Sequence, residues 1–64
     1  MLRKYIALYE YSYYGKYKRD IEFMSEHRAN SKANKQDALS EIRRTKERGI
    51  ARNAVVLETY LIDD

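Results

Sequence analysis

Few residues of this chain are equipped for covalent chemistry, and their spacing decides the matter. There is one histidine, His27, and no cysteine. His27 lies in the polar stretch EHRANSKA, and a single imidazole without clustered ligands cannot hold a metal. It reads as a solvated loop residue. Asp20, Glu22 and Glu26 stand beside basic residues and read as surface charge. No nucleophile, base and orienting group fall at a recognisable spacing. Two glycines are too few for a glycine-rich phosphate loop. The sequence therefore predicts a protein that is not an enzyme, with no cofactor, no metal site and no small-molecule substrate.

What remains is the chemistry of binding. Thirteen Lys and Arg against ten Asp and Glu give a net charge of +3, which permits a polyanionic partner without requiring one. The basic residues form three clusters: Lys16, Lys18 and Arg19; Arg28, Lys32 and Lys35; and Arg43, Arg44, Lys46, Arg48 and Arg52. Six of the seven tyrosines fall within Tyr5 to Tyr17, in YIALYEYSYYGKY. Lys and Arg contact backbone phosphates, and exposed aromatic rings stack on unpaired bases. A sheet or a two-stranded ribbon can also enter a major groove. The candidate nucleic-acid contacts are Tyr5, Tyr9, Tyr11, Lys16, Lys18, Arg28 and Lys32, with DNA or RNA as partner. Tyr and Met are also enriched at protein interfaces. Tyr5, Tyr9, Tyr11 and Met24 thus read equally as an interaction face, for self-association or for docking on a host protein. Asp20 and Glu22 on that face would repel phosphates and be harmless at a protein rim. Two plainer readings stand beside these: tyrosines that merely suit a half-wet strand, and a solvated surface of interspersed charge.

The elements that position these groups follow from pattern. Residues 3–13 and KYKRDIEFMS are rich in strand formers around Gly15, which predicts a hairpin. With Tyr14 and Gly15 as the loop, Ile6 faces Phe23, Leu8 faces Ile21, Glu10 faces Arg19 and Ser12 faces Tyr17. One face is then aliphatic. The other carries Tyr5, Ala7, Tyr9 and Tyr11 opposite Met24, Glu22, Asp20 and Lys18. A slip of one residue would set Ile6 against Glu22 and Leu8 against Asp20, so the first register is expected. A polar loop follows. Asn34 is the expected helix N-cap, with Asp37 in the first turn. Ala38, Leu39 and Ile42 recur at helical spacing, and Gly49 is expected to end the helix. NAVVLETYLI reads as a last strand with Val55, Leu57 and Leu61 on its more aliphatic side.

The prediction is one domain over residues 1–64, of α+β class and β-β-α-β order. It is a three-stranded antiparallel or mixed sheet with one helix on one face. The strand order stays open. The aliphatic face should meet the helix and leave the tyrosines open, so Leu8→Asp should unfold the protein and Tyr9→Asp should not.

The stretch YEYSYYGKYKRDIEF followed by NKQDALSEI resembles the small arm-binding domain at the N-terminus of phage-type tyrosine integrases. Gly15, Lys16, Phe23, Asn34, Lys35 and Ala38 match its pattern of a basic turn, a strand ending in Phe and a helix opening with a Thr or Ser cap, a Lys and a spaced Ala. The resemblance implies a sheet face that reads duplex DNA. In overall style the chain is similar to small proteins of bacteriophages and prophages. It has no long apolar run and no signal-peptide pattern. With no cysteine, it fits a reducing cytoplasm, the expected location.

Overall fold

The computed structural model describes residues 1–63. It contains strand β1 (Arg3–Ser12), strand β2 (Lys16–Ser25), helix α1 (Lys32–Thr45), a short helix α2 (Arg48–Arg52) and strand β3 (Val55–Asp63). The strands form one antiparallel sheet in the order β2-β1-β3. The α+β class and the expected β-β-α-β sequence of main elements are present. β1 takes the centre because both of its edges find partners, one from the hairpin and one from the far end of the chain. Among the described residues no helix is long and apolar enough to cross a membrane.

The hairpin adopts the register slipped by one residue from the expected one. Tyr5 pairs with Phe23, Ile6 with Glu22, Leu8 with Asp20 and Ser12 with Lys16. The cause is the loop, which contains three residues, Tyr13, Tyr14 and Gly15, rather than two. The Tyr13 amide donates to the Gly15 carbonyl at 2.8 Å. Tyr14 takes φ +56° and Gly15 φ +143°. One added loop residue shifts every pair by one and exchanges the face that β1 shares with β2.

The consequence is a correction to the faces. Tyr5, Tyr9 and Tyr11 belong to the core, not to the open side. Tyr5, Ala7, Tyr9, Tyr11 and Phe23 are buried, together with Ala38, Ile42 and Ala51 from the helices. The arrangement follows from size. Ala7 and Ala38 are both fully buried in one cluster, and α1 makes its close backbone approaches to β2 and β3, on either side of β1. The large rings of Tyr5, Tyr9 and Tyr11 fill the space between β1 and the helices. Tyr5 stacks on Phe23 at 5.5 Å and Tyr9 on Tyr11 at 6.0 Å between centroids. Such pairs add to what burial alone contributes. Burial pushes the Tyr9 phenol above its usual value of 10.0, with Tyr11 acting in the same direction.

Strand β3 departs from expectation in the same way. Val56 pairs with Tyr9 and Thr59 with Ala7, with a register shift between them. Residues three apart point to one face only across a β-bulge, and Leu57 is the additional residue. Val55, Leu57 and Leu61 remain exposed and form no aliphatic core face.

Helix α1 starts one turn earlier than its pattern suggested. The N-cap is Ser31, whose Oγ accepts from the Asn34 amide at 3.1 Å. Asn34 lies inside the helix and is fully buried, in line with Ala38 and Ile42 at intervals of four. Its Nδ2 donates to the His27 carbonyl at 2.8 Å, and its Oδ1 accepts from the Thr59 hydroxyl at 2.6 Å. Thr59 and Asn30 exchange two further bonds of 2.7 and 2.8 Å. Ser25 donates to Asp37 at 2.6 Å and accepts from the His27 amide. This polar knot joins β2, the loop, α1 and β3 at the end of the sheet remote from the hairpin loop. His27 contributes its backbone to the knot, and its side chain stays exposed.

Gly49 does not end α1, which stops at Thr45 with Lys46 as C-cap. Gly49 sits within α2, where the Tyr13 ring covers it. A Cβ there would stand 2.9 Å from Tyr13 Cε2. Gly49→Ala is expected to push the Tyr13 ring away from α2. Stability should stay within about 1 kcal/mol, because alanine favours a helix by about 0.5–1 kcal/mol over glycine. Loss of the Tyr13-to-α2 nuclear Overhauser effects, with a near-native melting temperature, is the expected readout. Retention of those contacts would mean that the ring is seated elsewhere.

Candidate nucleic-acid interface

The seven residues singled out from the sequence do not form one surface. Tyr5, Tyr9 and Tyr11 lie beneath the helices. Lys16 and Lys18 are exposed near the hairpin loop, and Arg28 and Lys32 are exposed beyond the other end of β2. Strand β2 runs ten residues from Lys16 to Ser25, so Lys16 stands about 30 Å from the end of the strand that leads to Arg28 and Lys32. The molecule measures 37 × 18 × 17 Å, so the two basic groups cap opposite ends of its long axis.

The side of the sheet without helices has mixed charge. Along β1 it carries Lys4, Ile6, Leu8, Glu10 and Ser12. The paired residues of β2 are Met24, Glu22, Asp20, Lys18 and Lys16. Leu8 lies between Asp20 and Glu58, and Ile6 between Glu22 and Tyr60. The Tyr60 phenol is raised above its usual value by its hydrogen bond to Glu58. A shallow groove of about 460 Å³ opens here, lined by Leu8, Tyr9, Lys18, Arg19, Asp20, Leu57 and Glu58. Its two carboxylates, Asp20 and Glu58, offset the two cations, Lys18 and Arg19, so the groove offers a phosphate no net positive charge.

A different arrangement occupies the hairpin end on the helix side. Tyr13 rests on Gly49 of α2, which brings the hairpin loop against the basic C-terminal part of the helices. Arg43, Lys46, Arg48 and Arg52 surround a cleft of about 520 Å³ whose remaining lining residue is Ala51. Its lining includes no carboxylate. Among the described residues, the ion pairs are the N-terminus with Glu26, Lys4 with Glu22, and Arg44 with Glu41. The cleft cations take part in none of them. Arg44, by contrast, is held in a two-point contact of 3.0 and 2.6 Å that also keeps the Glu41 carboxyl below its usual range. Part of this basic charge serves the helix, since cations at a C-terminus offset its dipole. That accounts for Arg43 and Arg44 in the last turn of α1. It does not account for Arg48, at the start of α2.

No aromatic ring lines the cleft itself, but rings lie under and beside α2. Ala51 packs in one cluster with Tyr9, Tyr11 and Ile42. Tyr11 stacks on Tyr17 at 5.4 Å, and the Arg19 guanidinium lies 5.5 Å over the Tyr17 ring. Rings therefore run from the buried Tyr9 through Tyr11 to the exposed Tyr17. Tyr13 and Tyr14 are also exposed and meet edge to face at 4.8 Å. Sequence reasoning found the basic cluster at the helix end but passed over Tyr13, Tyr14 and Tyr17. The signal lay in their position: they flank Gly15, where a turn must expose its side chains.

Compared with family models, curated proteins and solved structures, the chain finds no match.

Proposed function

We propose that the protein is a small nucleic-acid-binding module whose contact surface is the hairpin end on the helix side. The observation that supports this most directly is the cleft of Arg43, Lys46, Arg48 and Arg52, four cations without a lining carboxylate. Four convergent cations free of protein carboxylates suit a chain of phosphates, and each contact displaces a counterion. Arg19, which pairs with Tyr9 on the helix side of β2, extends the positive charge along the hairpin. The likeness of the hairpin with its basic turn to arm-binding domains supports the same class of ligand, although the helix opens at Ser31 and not at Asn34 as that likeness requires. The surface differs from the one that likeness implies, because the open sheet face carries Asp20, Glu22 and Glu58.

The test is a titration of labelled mixed-sequence DNA and RNA at low and moderate salt. Affinity should fall steeply with salt. Replacing Arg48 and Arg52 together with alanine should reduce the salt slope by about two, one per lost phosphate contact. Replacing Arg28 and Lys32, at the opposite end, should leave slope and affinity unchanged. Absence of binding at low salt would remove this reading.

A second reading has its own observation. Val55, Leu57, Tyr60, Leu61 and Ile62 on the edge strand β3 are all exposed, whereas the other edge, β2, carries Lys16, Lys18, Arg19, Asp20 and Glu22. Charged edges resist strand addition and apolar ones invite it. On this reading the protein associates through β3, with a second copy or with a host protein, and its buried tyrosines serve only the fold.

A further inference from the structure

We infer that the nucleic acid bound at the hairpin end is single-stranded, with an unpaired base stacked on Tyr14; this rests on the nucleic-acid reading above. Tyr14 is 94% exposed and sits at the tip of the loop. Its φ of +56° lies in the left-handed region. That position favours glycine or asparagine, and a bulky aromatic residue is an outlier there. The ring does not repay this in packing, because its aromatic contact is one edge-to-face meeting with Tyr13. Neither the turn nor the core explains a tyrosine at this position.

A ligand does. Tyr13 is anchored on Gly49 and meets the Tyr14 ring at 72° between planes. The geometry supports Tyr14 from one side and leaves a ring face to solvent. Gly49 adjoins Arg48, so the platform stands beside the cationic cleft. Stacking rings next to a track of cations are the two components of sequence-tolerant single-strand binding. Bases in a duplex already have both faces covered by their neighbours and offer none to a protruding ring. Tyr17, stacked on Tyr11 and covered by Arg19, is less accessible and plays the supporting part.

The experiment compares three probes: a mixed-sequence single strand, the matching duplex, and an abasic strand of equal length that keeps the phosphates. Wild-type protein should prefer the base-bearing single strand. The key variant is Tyr14→Gly, which suits the left-handed backbone and so preserves the fold. It should weaken single-strand binding by about 5- to 150-fold without changing the salt slope. Binding to the duplex and to the abasic strand should be unaffected. Tyr14→Phe should bind the single strand like wild type. Equal affinity for all three probes would overturn the inference, as would a Tyr14→Gly variant that binds the single strand normally. Either result would leave the phosphate-binding cleft in place. Failure of every probe to bind at low salt would overturn both.

Discussion

Tyr9→Asp should unfold the protein. Tyr9 is only 2% exposed and packs with Tyr11, Ile42 and Ala51. Removing a large buried aromatic side chain costs about 3–5 kcal/mol, and an unpaired carboxylate in its place costs more. A chain of 64 residues has a total stability of about 3–10 kcal/mol at the usual amount per residue, so little is left. The neighbouring substitution should behave oppositely. Leu8 points to the other face, between Asp20 and Glu58, and Leu8→Lys places a cation between two acids. It should remain folded. Leu8→Asp should fall between the two, because it puts a third carboxylate in the row. Far-ultraviolet circular dichroism with a thermal melt separates these outcomes. A folded Tyr9→Asp variant would mean that the tyrosine face is not the core.

Asn34→Ala should be the second severe change, although it removes only a small polar side chain. Asn34 is fully buried and bonded at both ends of its amide, to the His27 carbonyl and the Thr59 hydroxyl. Alanine would leave both partners without it in a place that water does not readily reach. At about 1–3 kcal/mol per orphaned group, the loss is about 2–6 kcal/mol. Among the described residues every buried side-chain polar atom has a partner, so the present arrangement carries no such penalty. Thr59→Val also strands the Asn30 amide that donates to the Thr59 hydroxyl, but the Asn34–Thr59 bond can be lost only once, so the double variant should lose less than the sum of the two single losses. Chemical denaturation of the two single variants and the double variant measures this coupling. Simple additivity would show that the bond between them contributes nothing.

The class, the element order and the pairing of the first two strands were legible because Ile21 and Phe23 alternate with Asp20 and Glu22, which marks the inner face of β2 clearly. β1 was ambiguous, since Tyr5, Ala7, Tyr9 and Tyr11 and the intervening Ile6 and Leu8 both alternate. Ile6 and Leu8 are the more aliphatic pair, and this favoured the wrong face. The full rows decide otherwise: Lys4 and Glu10 share a side with Ile6 and Leu8, while the tyrosine row from Tyr5 to Tyr11 has no charge. The deciding quantity was loop length, and that depended on Tyr14 adopting a backbone conformation that its residue type disfavours. The cap was misplaced by three residues because Ser31 and Asn34 both suit an N-cap, and only the approach of Thr59 buries one of them. Of the candidate site, the cations near the helix end were readable from the chain. Their convergence with the hairpin loop was not, because it depends on Tyr13 fitting against Gly49, 36 residues away by the difference of their numbers.

The central position of β1 has a consequence for how the molecule is made. During synthesis the first strand emerges early and can zip to β2 at once, since their pairing is local. Its other edge must wait for β3, the last element described, almost the whole length of the chain later. Throughout that interval the backbone amides and carbonyls along one side of β1 have no strand partner, and Asn34 lacks the Thr59 hydroxyl. Formation of the complete sheet is therefore a late, long-range event, slowed by the loop that has to close first. The apolar β3 enters at the one edge that completes the fold, and until it does so the nascent chain is at its most adhesive.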